Sequence, residues 1–152
     1  MGLVVNRPTD IPPARVFPKL KARPARLYLG GPVSTTGVFG LLRASQPTGD
    51  YRHIVEDVYL VAERSRLEPL LPSAADGTRF RLYLGYAGWG PRQLERETAQ
   101  GAWHVLQADS ALIFDPDPES VWPRLIRLTG GLLASARPEG LGTEPRTGNW
   151  HN

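Results

Sequence analysis

The chain has 152 residues, enough for one domain with a real core. It is 41% hydrophobic and 22% charged, the balance of an ordinary globular protein, and no apolar run is long enough to predict a membrane span. It has no cysteine, which excludes disulfides, thiolate catalysis and cysteine metal sites. A net charge of +3 permits nucleic-acid contact without demanding it. The N-terminus lacks the layout of a secretory signal, so a cytoplasmic location is the expectation.

In chain order, residues 2–6 (Gly-Leu-Val-Val-Asn) read as a buried strand that Pro8 should end. A core strand at a chain start is unusual, because termini are normally solvated. From Asp10 to Lys21, the apolar positions Ile11, Val16, Phe17 and Leu20 predict a short helix or irregular turn, with Pro12 and Pro13 in its first turn. Arg15, Lys19, Lys21, Arg23 and Arg26 make this the most basic stretch. They are a candidate nucleic-acid patch, although no aromatic residue is interleaved for base stacking.

Arg26–Leu29 predicts a strand closed by Gly30, Gly31 and Pro32. Val38–Leu42 and Ile54–Val61 predict two more, joined through a loop at Ser45–Asp50. Ser65 is placed to cap a short helix that Pro72 stops, and Asp76-Gly77 turns the chain into a strand over Thr78–Leu84. Pro91–Gln100 predicts a helix ended by a left-handed Gly101. Trp103–Gln107 and Ala111–Phe114 predict strands. A last helix from about Glu119 should turn Val121, Trp122, Leu125, Ile126 and Leu128 inward. The domain is expected over residues 1–131, with a disordered tail over 132–152. The order of elements predicts an α+β fold with a mixed, curled β-sheet and a few short helices.

No catalytic constellation emerges. There is no nucleophile elbow, and His53 and His104 read as structural or surface residues. Asp115, Asp117 and Glu119 lack the glycine and distal glutamate of a calcium loop, so capping by Asp117 explains them better. The stretch Gly30–Gly37 has no lysine and fails the P-loop pattern, and Gly85–Gly90 is not the dinucleotide fingerprint. A helix start at Gly90-Pro91 leaves an anion site open as an alternative. Glu95 and Glu97 read as solvated helix charges, since residues two apart point in different directions. No metal and no cofactor is expected.

The run Gly85-Tyr86-Ala87-Gly88-Trp89-Gly90-Pro91, followed by Gln93-Leu94-Glu95 and Glu97, resembles the signature of the bacterial AlgH/YqgE family. Gly2–Pro8, Gly30–Val33, Trp103, Leu112–Phe114 and Trp122 match in the expected order, so the resemblance covers about residues 2–131. It implies an α+β domain with no established enzymatic activity and a label of transcriptional regulator. The expectation is therefore a non-catalytic regulatory or binding protein, with a protein or small ligand as partner and no membrane. Gly85, Tyr86, Gly88, Trp89, Gly90, Gln93, Gly30, Gly31 and Pro32 are the candidate ligand-binding residues. Two departures stand out. Arg92 replaces a commonly small residue, at what should be a second helical position with little structural effect. The resemblance also implies a further segment before Gly2, so Met1 is expected to be an internal methionine of a longer protein.

Overall fold

The computed structural model describes residues 1–18, 25–75 and 77–135, with the backbone alone for 131–135. Five strands form one mixed, open sheet: β1 (Leu27–Leu29), β2 (Val33–Arg43), β3 (Arg52–Val55), β4 (Val58–Val61) and β5 (Phe80–Tyr86). Their spatial order is β1-β5-β2-β4-β3. Only β1 and β5 run parallel; the other neighbours are antiparallel. The expected α+β class with a mixed sheet is what forms.

β5 is the central strand, and its sequence explains why. Phe80, Leu82 and Leu84 face one side, where they meet Leu27, Leu42, Val61, Leu67 and Leu71. Arg81 and Tyr83 alternate to the other side, where Tyr83 packs with Tyr28, Leu41, Val58 and Phe114. Both faces are thus covered, and residues 80–85 are all buried. Full burial of a side chain such as Phe80 contributes about 1.5–3 kcal/mol.

Helices cap the first face. The 3₁₀ turn Pro13–Arg15 has a proline in its first turn as expected, and delivers Phe17 into the core. Helix α1 (Arg64–Leu67) runs on into a 3₁₀ helix, Glu68–Ala74. Glu63, not Ser65, occupies its N-cap position, and Pro72 lies within the 3₁₀ segment, which ends at Ala74.

Several sequence expectations change. Ile54–Val61 is not one strand but a hairpin, β3 and β4, around Glu56-Asp57, with Glu56 left-handed at φ 46°. Residues 2–9 form no ladder; they lie extended beside β1 and touch the sheet through isolated bridges, Gly2 to Ala87 and Pro8 to Tyr28. The pairing passes through Pro8 instead of stopping there. The flanking bonds are Leu29 N to Arg7 O and Thr9 N to Leu27 O, so Pro8 sits where no N–H is called for. The side chains here are half-buried, with Val4 and Arg7 exposed, so this is a sheet edge and not a core strand.

Trp103–Gln107 has no strand partner among the described residues, and Val105 is 76% exposed. Residues 110–113 are helix α3, because the Asp109 carboxylate caps Ala111 N (2.7 Å) and Glu56 takes Ser110 N (2.9 Å). Capping overrides the strand propensity of Leu112 and Ile113. Helix α4 spans Pro118–Ser135. Among its described side chains Pro118, Val121 and Thr129 are buried and Leu125 is half-buried, while Trp122, Ile126 and Leu128 are exposed. Pro123 lies within this helix, beyond its first turn. Of the tail expected over 132–152, residues 132–135 continue helix α4, and 136–152 lie outside the described residues.

A buried arginine locks the second face. Arg81 is 3% exposed and donates to the carbonyls of Gly77 (2.9 Å), Ile113 (2.8 Å) and Asp115. Its guanidinium lies 4.9 Å from the Tyr28 ring centre and 5.7 Å from that of Phe114. It thereby ties β5 to the turn between α3 and α4.

Candidate functional site

The glycine–aromatic run leaves the end of β5 and enters helix α2 (Gln93–Ala99). Gly85 makes the exit possible. Its φ is 66°, and a Cβ there would lie 2.5 Å from Gly31 O. Gly31 answers from the β1–β2 connection, where a Cβ would stand 2.1 Å from the Tyr86 carbonyl carbon. Gly30 N donates to Leu84 O (2.8 Å). The two glycine-rich stretches singled out in the sequence are therefore brought together, backbone against backbone. Pro32 beside them is exposed.

Past this crossing the aromatics take over. Tyr86 packs edge-on against Phe39, with ring centres 5.7 Å apart. Trp89 packs edge-on against Trp103 at 5.8 Å, and the edge of its indole covers Gly2. Gly88 and Gly90 are exposed between them.

Glu97 holds the arrangement together. Its carboxylate accepts from Trp103 Nε1 (2.8 Å), Gln93 Nε2 (2.8 Å) and Trp89 Nε1 (3.3 Å). These donors, the Trp103 indole first and Gln93 next, hold the carboxyl below its ordinary value and keep it ionised. Gln93 uses its other end, Oε1, to accept from Gly90 N (3.0 Å). Glu97 is thus no solvated helix charge but the acceptor that joins both tryptophans to α2. The sequence signal was the spacing of four between Gln93 and Glu97, which stacks the two side chains on one helix face.

The helix start also differs from expectation. Pro91 precedes the helix, and Arg92 is its N-cap residue, left-handed at φ 58°. A small residue suits that backbone, whereas an arginine there costs on the order of 1–2 kcal/mol. The substitution therefore carries a structural cost, not the small effect expected of a second helical position. The Gly90 N–H, one of the donors an anion would need, is already taken by Gln93.

Other candidates are placed as follows. Arg15 and Arg26 are exposed, and Lys19, Lys21 and Arg23 lie outside the described residues. His53 is exposed; its Nε2 donates to Glu56 O (2.8 Å) and its ring rests on Tyr59. His104 is exposed. Asp115 pairs with Arg124 and accepts from Asp117 N (2.8 Å), and Arg124 holds its carboxyl below the ordinary value. Tyr83 is buried, which pushes its hydroxyl well above the ordinary phenol range and keeps it neutral. No group of three or more potential metal ligands occurs among the described residues. No helix among them is long and apolar enough to cross a membrane.

Fold and site together define a class: an open mixed-sheet α+β domain whose signature loop is clamped by tryptophans on a single carboxylate. The AlgH-like family model matches residues 1–134, and the chain belongs to that family. A UPF0301 protein of Bordetella petrii is 39% identical over 142 aligned residues, covering 86% of this chain and 67% of that one. A UPF0301 protein of Streptomyces coelicolor is 32% identical over 145, covering 88% and 72%. The solution structure of the AlgH protein from Pseudomonas aeruginosa superimposes with a TM-score of 0.64 at 30% identity, covering 93% of this chain and 79% of that one.

Proposed function

We propose that this chain is a non-catalytic binding protein of the regulatory kind, with the ledge around Tyr86, Gly88 and Trp89 as its contact surface. The observation that carries the reading is the occupation of the ledge's polar groups. Glu97 accepts three N–H bonds, and Gln93 bridges Gly90 and Glu97. A carboxylate held ionised by its own indoles is a poor general base, because the proton it would take competes with those bonds. What faces solvent is a set of half-buried rings and exposed glycines, which suits contact better than turnover. A transcription-related role, as the family resemblance implies, would then act through a protein or small-ligand partner.

The test places a photo-crosslinking residue at Gly88, where a Cβ meets nothing closer than 3.5 Å. A defined partner should be captured, and Gly88→Lys should abolish the same complex. A specific turnover lost on replacing Gln93 or Glu97 would overturn the reading. Direct nucleic-acid contact is the competing proposal and rests on the exposed Arg15 and Arg26. A mobility-shift series across salt separates the two, since phosphate contacts must weaken as salt rises. No shift at any salt ends the nucleic-acid reading.

A further inference from the structure

The tryptophan ledge follows the last residue of β5, and a pair of arginines stands at the strand's other end. Leu42 pairs with Phe80, and Arg43 N donates to Arg79 O (2.7 Å), so the antiparallel register runs one step past the start of β5. Arg43 and Arg79 are therefore directly opposite each other. Side chains at such positions leave the same face of the sheet, with Cβ atoms about 4.5–5.5 Å apart. Like charges placed there repel and destabilise the pairing.

The neighbouring groups answer half of that repulsion. Asp57, in the turn between β3 and β4, accepts from Arg43 Nε (2.9 Å), and Ala44 N donates to the Asp57 carbonyl (2.9 Å). Arg43 spends only Nε on this contact; its two terminal nitrogens have no hydrogen-bond partner among the described residues. Arg79 is exposed, and its side chain has no hydrogen-bond or ion-pair partner among them. One positive charge is left over. Both arginines line an open cleft of about 510 Å³, together with Ser45, Gln46, Asp57 and Thr78. Its volume is within the roughly 300–1,000 Å³ of small-molecule sites, but these lining groups are polar where such sites are mostly apolar. A ligand with a charged, oxygen-rich head fits that chemistry.

We propose that this cleft binds a small phosphate monoester, whose phosphate bridges the guanidinium groups of Arg43 and Arg79. A phosphate monoester has three acceptor oxygens and up to about two negative charges at neutral pH, and guanidinium forks match its geometry. It can take the Arg79 fork and the terminal nitrogens of Arg43 while Asp57 keeps Nε. A nucleic-acid strand would have to run further phosphates past the Asp57 carboxylate, which repels them; a single phosphate need not. The cleft and the tryptophan ledge lie at opposite ends of β5, and neither proposal depends on the other.

The test titrates the 152-residue protein with phenyl phosphate and with glycerol 3-phosphate, following amide and arginine Nε resonances by NMR. Phenol and glycerol at matched ionic strength are the controls. The phosphate esters should move the resonances of Arg43, Ser45 and Arg79 saturably, and the controls should leave them in place. Arg79→Met, at an exposed position outside the strands, should weaken binding at least about tenfold without lowering the melting temperature. Asp57→Asn removes the carboxylate that competes for Arg43 and should tighten binding severalfold. Failure of both esters to saturate overturns the proposal, as does binding indifferent to Arg79→Met or weakened by Asp57→Asn. An oligonucleotide without terminal phosphates that moves the same resonances at lower concentration also overturns it, since the cleft would then read a phosphodiester backbone.

Discussion

Two charged side chains do the same job at two places, and the difference lies in the water around them. Arg81 gives hydrogen bonds to three carbonyls, and Glu97 receives three from side-chain N–H groups. Arg81 is 3% exposed and sandwiched by rings, so its partners have no solvent to fall back on. Glu97 is half-buried on a surface helix, where water can replace a lost donor. The count of bonds is equal, but the cost of losing them is not. The first knot holds the fold, and the second shapes a surface.

The sharpest way to break this contrast is Arg81→Met. It keeps much of the stem volume but strands the carbonyls of Gly77, Ile113 and Asp115, and should cost roughly 3–5 kcal/mol in denaturant titration. A loss under about 1 kcal/mol, the size expected of a surface contact, would mean that the buried knot is no stronger than the exposed one.

Glu97→Gln comes next and should destabilise far less, while visibly changing the fluorescence of Trp89 and Trp103. Its pH counterpart has a definite sign. The folded carboxyl titrates below its ordinary 4.5, so its stabilising contribution is complete above that value and is lost as pH falls through the lower folded one. The Asp57 carboxyl, held down by Arg43, and Asp115, held down by Arg124, behave likewise below 3.8. Wild type should therefore show a tryptophan transition in acid that Glu97→Gln lacks. An identical acid profile in both would remove Glu97 from its role.

The smallest effect belongs to Arg92→Gly. Relief of the left-handed arginine, about 1–2 kcal/mol, is partly offset by the entropy glycine adds to the unfolded chain. The net should be a gain on the order of 0.5 kcal/mol. A destabilised variant would show that the arginine side chain contributes more than its backbone costs.

Much of this was legible from residue patterns that act locally. The alternation Phe80, Leu82, Leu84 marks β5, Gly101 closes α2 at φ 75°, and the prolines at 12 and 13 begin a 3₁₀ turn. The glycine–tryptophan run gave the family. The errors share one cause: the deciding contact is made in space and leaves no periodic mark in the sequence. Residues 110–113 have strand-like composition, but Glu56 holds Ser110 from 54 positions away. Trp103 sits in a plausible alternating stretch, but its indole belongs to Glu97. On α4 the spacing gave a helix but not which of several apolar faces would turn inward, because Val121 and Trp122 are equally apolar and only packing separates 4% from 62% exposure.

The chain by itself thus determined the class of fold, the central strand, the family and the place of the signature loop, since these rest on periodicity, turn chemistry and a long motif. Tertiary structure alone decided that both tryptophan indoles turn onto Glu97, that Arg81 is a buried lock, and that Glu56 reaches Ser110. Those hydrogen-bond partners depend on how side chains pack in space, and no hydrophobic period or turn motif records that.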